Sequence, residues 1–180
     1  MNKVCEIMCL RHMICMKNAL YGVSMRDNHI DDFDRAILKA LQADASLTNA
    51  QLSERVNLSP SQCSRRRNAL ESMGIILGYS AILDAEALGF GLRAITRVNL
   101  VGHSAGTDED FAEFLNTQPQ VRAAYSVSGD ADYVVEVHVK DLNDFAAFVH
   151  QKLLVHPAVG QVRSDIVLKT TKEKRHLPLD

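Results

Sequence analysis

Two short stretches carry side chains able to do chemistry. In the first, SPSQCSRRRN from Ser59 to Asn68, the residues Ser61, Gln62, Ser64, Arg65, Arg66 and Asn68 are polar or cationic. A helix that enters the major groove of DNA needs such side chains near its N-terminus. Gln can pair with adenine, and Arg with guanine, through two hydrogen bonds each, worth about 1–3 kcal/mol of base discrimination. Three consecutive arginines taken alone would also make an ordinary solvated face. The second stretch is Gly129-Asp130-Ala131-Asp132, a turn bearing two acids. Paired carboxylates can act as general acid and base. No nucleophile paired with a histidine and no metal-ligand cluster stands near them in the sequence, so no catalytic or metal-binding residue is assigned. The simpler reading is a hairpin in which Gly129 takes positive φ and Asp130 bonds its own backbone.

The context of the Arg-rich stretch decides between its two readings. From Asp31 to about Leu83 the apolar period is helical. Asp31-Asp32-Phe33-Asp34 places carboxylates at a helix N-terminus, where they oppose the dipole. Phe33, Ile37 and Leu41 then form a stripe, with Ala36 and Ala40 beside it. A second helix opens at Thr48, with Gln51 completing a capping box. It buries Leu52 and Val56, and Asn57 suits a left-handed residue at its end. In the third helix Ser59 caps, Pro60 takes the first position and Gln62 closes another box. Cys63 and Leu70 share its inner face and Gly74 ends it. Only Asn57 and Leu58 separate the second and third helices, which predicts the sharp corner of a helix-turn-helix. Arg65 then points outward, with Arg66 beside it. Arg67 falls on the Cys63/Leu70 side, where its long stem can carry the charge to a phosphate or an acid. Ile75 to Leu83 reads as a strand or wing.

Beyond a connector at 84–91, containing Gly89 and Gly91, the period changes. Strands are expected at Leu92–Val101, Val121–Ser128, Tyr133–Val139 and Val159–Thr170. Helices are expected at Asp108–Gln118 and Leu142–Val155. The order β-α-β-β-α-β is the ferredoxin-like arrangement, so the fold class is α+β. Such a sheet covers one face with its two helices and leaves the other bare, so homodimerisation through that bare face is expected.

Composition excludes some classes. The 180 residues carry a net charge of −2, so the chain is no polycation coating nucleic acid indiscriminately. No apolar run approaches the roughly 18 residues of a membrane helix. The first 25 residues hold Cys5, Cys9 and Cys15 and five of the six methionines. Glu6, Arg11, His12 and Lys17 interrupt any secretory core, and the cysteine spacing lacks a paired metal knuckle. Residues 1–28 are therefore read as an N-terminal extension, with Met25 a candidate true start. A cytoplasmic location with reduced cysteines is expected.

Residues 31–83 resemble the winged helix-turn-helix of the leucine-responsive/asparagine regulator (Lrp/AsnC) family, whose pattern runs roughly S-P-x-x-C-x-R-R-x-x-x-L-E-x-x-G-x-I-x-G-Y. Ser59, Pro60, Cys63, Arg65, Arg66, Leu70, Glu71, Gly74, Ile76, Gly78 and Tyr79 match it. Arg67 departs from it, standing where that pattern usually has an apolar residue. Residues 92–172 resemble the family's sensor domain, with Val127–Tyr133 matching its effector loop. The resemblance implies a regulator with a DNA-binding domain at 29–83, a linker at 84–91, a ligand-sensing and oligomerisation domain at 92–172 and a tail at 173–180. The partners implied are double-stranded DNA, an amino-acid effector, a second copy and a larger oligomer of dimers, with no membrane and no resident cofactor. Ser59, Ser61, Gln62, Ser64, Arg65, Arg66 and Asn68 would contact DNA. Asp132 would meet the effector's ammonium, Gly129 and Asp130 would shape the loop, and Ile166 and Val167 would lie near its side chain. Two alternatives stay open at this point: a sirohaem-decarboxylase-like enzyme of the same layout, and a plain amino-acid-binding module.

Overall fold

The computed structural model describes residues 30–102, 105–173 and 176–179. The extension at 1–28 and His103 lie outside the described residues. The chain divides into two compact units. The first takes residues up to 80 together with the C-terminal end from 175, and the second takes residues 81–174.

The first unit is helical. Helix α1 (Asp32–Ala43) is capped by Asp31, whose carboxylate accepts from the Asp34 amide at 2.8 Å while Asp34 returns a bond to the Asp31 amide. Ile37, Leu38 and Leu41 are its buried apolar residues, whereas Phe33 is 44% exposed. This corrects the expected Phe33 stripe. A four-residue step overshoots the 3.6-residue turn by about 40°, so successive steps drift off the buried face. Asp34 and Leu38 take the place Phe33 was given.

Helix α2 (Asn49–Val56) shows the Thr48/Gln51 capping box, and Asn57 ends it in the left-handed region at φ 53°. Helix α3 (Pro60–Ser72) follows directly, with its Ser59/Gln62 box and Pro60 in the first turn. Cys63 and Leu70 are fully buried among Ile37, Leu47, Leu52 and Val56. A fully buried leucine side chain stabilises by about 1.5–3 kcal/mol, so Leu70 is the main anchor of α3. Gly74, at φ +71°, turns the chain out, and the amides of Ile75 and Ile76 both bond the Leu70 carbonyl. Residues 75–83, expected as a strand or wing, form no strand: the chain bends at Ile75 and Ile76 and pairs with no strand among the described residues, so 75–80 stand as an irregular wing.

The C-terminal residues join this unit. The Leu177 amide donates to Gln42 Oε1 at 2.6 Å, Gln42 Nε2 donates to the Leu177 carbonyl at 3.3 Å, and Leu179 packs on the helical core. The end of the stretch read as a tail at 173–180 is thus held on the helical unit, where Gln42 offers an amide complementary to one peptide unit.

The second unit is built from β1 (Leu92–Leu100), α4 (Ala105–Thr117), β2 (Val121–Ser126), β3 (Tyr133–Val139), α5 (Leu142–Phe148) continuing into a π-helical turn (Val149–Leu153), and β4 (Val159–Ile166). The sheet order is β2-β3-β1-β4, all antiparallel. This is the expected ferredoxin-like arrangement. Along β3 every second residue, from Tyr133 to Val139, is buried, and Ala94, Thr96, Val98 and Leu100 do the same on β1. Phe111, Leu115, Phe145, Phe148 and Leu153 cover that face. Buried Thr96 meets the Ser164 hydroxyl at 3.2 Å, which satisfies its polar group. The opposite face carries Arg93, Ile95 and Arg97 of β1 and Glu136 and His138 of β3. On it Glu136 gathers His138 Nε2 at 2.8 Å, Arg93 Nε at 3.0 Å and Arg122 Nε at 3.8 Å.

Candidate nucleic-acid interface and effector loop

Helix α3 sorts its polar side chains by direction. Burial of Cys63 and Leu70 turns the opposite side to solvent, where Ser61, Gln62, Arg65 and Asn68 are exposed and Ser64 is half-buried. Positions 61, 65 and 68 lie on one helical stripe. Ser59 and Gln62 are engaged with each other. The Gln62 amide donates to Ser59 Oγ at 3.3 Å, and Gln62 Oε1 accepts from the Ser59 amide at 3.0 Å. Gln62 would have to leave its capping box to read a base, whereas Arg65 makes no ion pair with any described residue.

The other two arginines are held within the unit. Arg66 Nη1 bridges Asp31 Oδ2 and Asp34 Oδ1, each at 2.8 Å, and its guanidinium lies 5.5 Å above the Phe33 ring. Hydrogen bonds to Asp34 and then Asp31 push the Arg66 pKa up. The Asp34 amide bond, aided by Arg66, holds the Asp31 carboxyl below the usual range. One guanidinium thus fastens α3 to the start of α1, and the acids that cap α1 also receive Arg66. Asp31, Asp34 and Phe33 were not singled out as partners of this helix. The bridge spans 32 residues, and the only sequence signal was the pair of capping acids.

Arg67 is bound on the other flank. Its Nε donates to Tyr79 Oη at 2.8 Å and lies 3.4 Å from Glu71 Oε1. Its Nη1 donates to the Leu47 carbonyl at 3.3 Å. Its guanidinium sits 4.5 Å from the Tyr79 ring centroid, and Tyr79 Oη donates to Glu71 at 2.8 Å. Of the two destinations open to Arg67 on sequence, the acid is the one the folded chain shows.

In the second unit, residues 127–132 form a six-residue loop closed by the Val127 amide bonding the Asp132 carbonyl at 3.0 Å. The loop is fastened to β1. Asn99 Nδ2 donates to the Asp130 carbonyl at 2.8 Å, Asp132 Oδ2 accepts the Leu100 amide at 2.8 Å, and the Asp132 amide bonds the Val98 carbonyl. Gly129 is exposed with open space around it and is not among the positive-φ residues, which corrects the hairpin geometry expected for it. A loop of this width turns gradually and needs no left-handed residue.

Ile166 lies elsewhere. It pairs with Ala94, and the Val167 amide bonds the Arg93 carbonyl, at the far end of β1 from Val98. Five residues along the strand and two strand spacings across it separate Ile166 from Asp132 by about 19 Å. Within one chain the structure does not bring these two parts of the candidate effector site together. Among the described residues no cluster of ligating side chains could hold a metal, and no helix is long and apolar enough to cross a membrane.

A capped recognition helix on a helical unit, joined to a four-stranded sensor-like unit, defines a DNA-binding regulator with a ligand-binding domain. Residues 30–76 match the winged helix-turn-helix DNA-binding family, and residues 93–177 match the Lrp/AsnC ligand binding domain. The transcriptional regulator AzlB of Bacillus subtilis is 36% identical over 151 residues, covering 84% of this chain and 96% of that protein. The leucine-responsive regulatory protein of Rhizobium meliloti is 37% identical, over 80% of this chain and 92% of its own. Among solved structures, the complex of transcriptional regulator NMB0573 from Neisseria meningitidis with L-Met matches with a TM-score of 0.81 and 40% identity, over 83% of this chain and 97% of that one. The chain belongs to the Lrp/AsnC family of transcriptional regulators. Its named relatives are regulators, which separates it from the enzymes of similar layout.

Proposed function

We propose that the chain reads specific DNA through the exposed side of α3 and is controlled by a free amino acid bound between subunits. The observation that carries the DNA reading is the solvent-facing row of Ser61, Gln62, Arg65 and Asn68 on a helix anchored by Cys63 and Leu70. Arg65 is the primary base contact. Ser61, Ser64 and Asn68 add shorter contacts, and Ser59 and Gln62 contribute from the helix start. Arg66 acts mainly by holding α3 on α1.

For the effector, Asp132 receives the ammonium, Gly129 and Asp130 form the loop around it, and Ile166 and Val167 meet the side chain. The separation of these groups within one chain supports a site completed by a second copy. One small ligand can touch both sets only if they come from different subunits. The bare sheet face, with its Arg93–Glu136–Arg122 cluster, supports a homodimer, and the paired site supports assembly of dimers. The L-Met complex of the Neisseria protein supports an amino acid as the ligand class. No resident cofactor is invoked, and the protein works in the cytoplasm. A gel-shift on DNA from the chain's own upstream region, with and without each common amino acid, tests this. A salt-sensitive, sequence-selective shift altered by one or a few amino acids is expected. The absence of any selective shift would overturn the reading.

A further inference from the structure

We infer that Arg67 is a latch that sets where the wing stands on the recognition helix, and hence a positioning residue for DNA binding rather than a phosphate contact. This rests on the DNA-binding reading above.

Three elements meet at the Arg67 guanidinium. Glu71 belongs to α3, Leu47 to the loop before α2, and Tyr79 to the wing. Tyr79 is held twice, by its ring under the guanidinium and by its hydroxyl, which accepts from Arg67 and donates to Glu71. Residues 75–80 gain no support from a sheet, because they pair with no strand among the described residues. The Leu77 side chain is 81% exposed and adds no buried apolar contact there. The latch is therefore the main side-chain tie between the wing's outer end and α3. The wing sequence Ile75-Ile76-Leu77-Gly78-Tyr79-Ser80 has no cation of its own. Whatever it contributes on DNA depends on position and not on charge. An apolar side chain at 67 could neither bond the phenol nor donate to the Leu47 carbonyl. Burial and Glu71 push the Tyr79 hydroxyl up while Arg67 pulls it down, in keeping with the three groups acting on one another.

The test compares Arg67→Leu, Tyr79→Phe and the double variant, in two assays. In specific-site DNA binding over a salt series, Arg67→Leu is expected to lose about threefold to tenfold in affinity, the scale of a partly exposed ion pair plus a cation–π contact, and Tyr79→Phe, which keeps the ring and loses only the hydroxyl's bonds, about twofold to fivefold. The double variant should bind no worse than the weaker single, and the slope of log K against log salt should stay that of the parent. A slope shallower by about 0.9 in Arg67→Leu, with Tyr79→Phe binding like the parent, would show a phosphate contact and overturn the latch. The second assay needs no DNA: ultraviolet titration of the free protein, with Tyr79 assigned from the Tyr79→Phe difference. The latch predicts that Arg67→Leu raises the Tyr79 titration midpoint, and an unmoved midpoint refutes it. Failure of all variants and the parent to bind DNA would count against the functional reading alone, because the titration decides the latch independently.

Discussion

Removing the Arg66 guanidinium tests whether it braces the helix or reads DNA. Arg66→Ala deletes one nitrogen that bridges Asp31 and Asp34 and a stacked plane over Phe33. The Arg66 side chain is 24% exposed and that of Asp34 12%, so solvent screens the Arg66–Asp34 pair in part and its worth lies near the upper end of the surface range, about 1 kcal/mol. The contact with the half-exposed Phe33 ring adds about 0.5–1 kcal/mol. The sum is about 1.5–2 kcal/mol, or roughly 6–16 °C in the transition of a small domain. Arg66→Lys keeps the charge but loses the planar stacking, and should recover about half of this. Thermal unfolding followed by circular dichroism would read the shift. Asp34→Asn combined with Arg66→Ala should cost less than the sum of the two singles, because both remove one bridge. DNA affinity, measured well below the transition, should fall with an unchanged salt slope. An unshifted transition with a slope reduced by about 0.9 would refute the reasoning and make Arg66 a phosphate contact.

Other perturbations follow from the same structure. Leu70→Ala leaves a cavity beneath α3 where the parent residue is fully buried, and should cost about 2–5 kcal/mol in a denaturant titration. The Asp31 carboxyl is held below its usual range, chiefly by the Asp34 amide, so the stability it contributes is present above the unfolded value near 3.8 and is lost as pH falls through the lower folded value. Asp31→Asn should flatten the acid limb of a stability-against-pH curve there, with no change near neutrality in its slope. Asp132→Asn keeps an acceptor for the Leu100 amide and removes the charge. Calorimetry should show amino-acid binding weakened at least tenfold, with DNA affinity in the absence of effector unchanged.

The local signals were readable and the distant ones were not. Ser59 with Gln62, Thr48 with Gln51, and left-handed Asn57 are decided within four residues, and all stand where the sequence puts them. The strand and helix order of the second unit follows from apolar period, and the sheet confirms it. Phe33 was misplaced because a strict four-residue repeat drifts around a helix, and Leu38 and Asp34 took the inner positions. The Arg66 bridge to Asp34 and the Arg67 tie to Tyr79 depend on how α1, α3 and the wing pack, which no spacing in the chain encodes. Asp132 and Ile166 both looked like effector contacts, but their distance apart becomes visible only with the strand register. The docking of Leu177 on Gln42 likewise joins residues 135 apart.

The central claim is that α3 reads bases, with Arg65 as its principal cation. The most direct measurement is the ratio of specific to non-specific DNA affinity, at one stated salt concentration, for the parent and Arg65→Ala. Arg65 is exposed and outside the core, so the variant should fold normally. Its ratio should fall by about five- to 150-fold, the equivalent of about 1–3 kcal/mol for one bidentate base contact. A parent-like ratio in a folded Arg65→Ala protein would contradict the account.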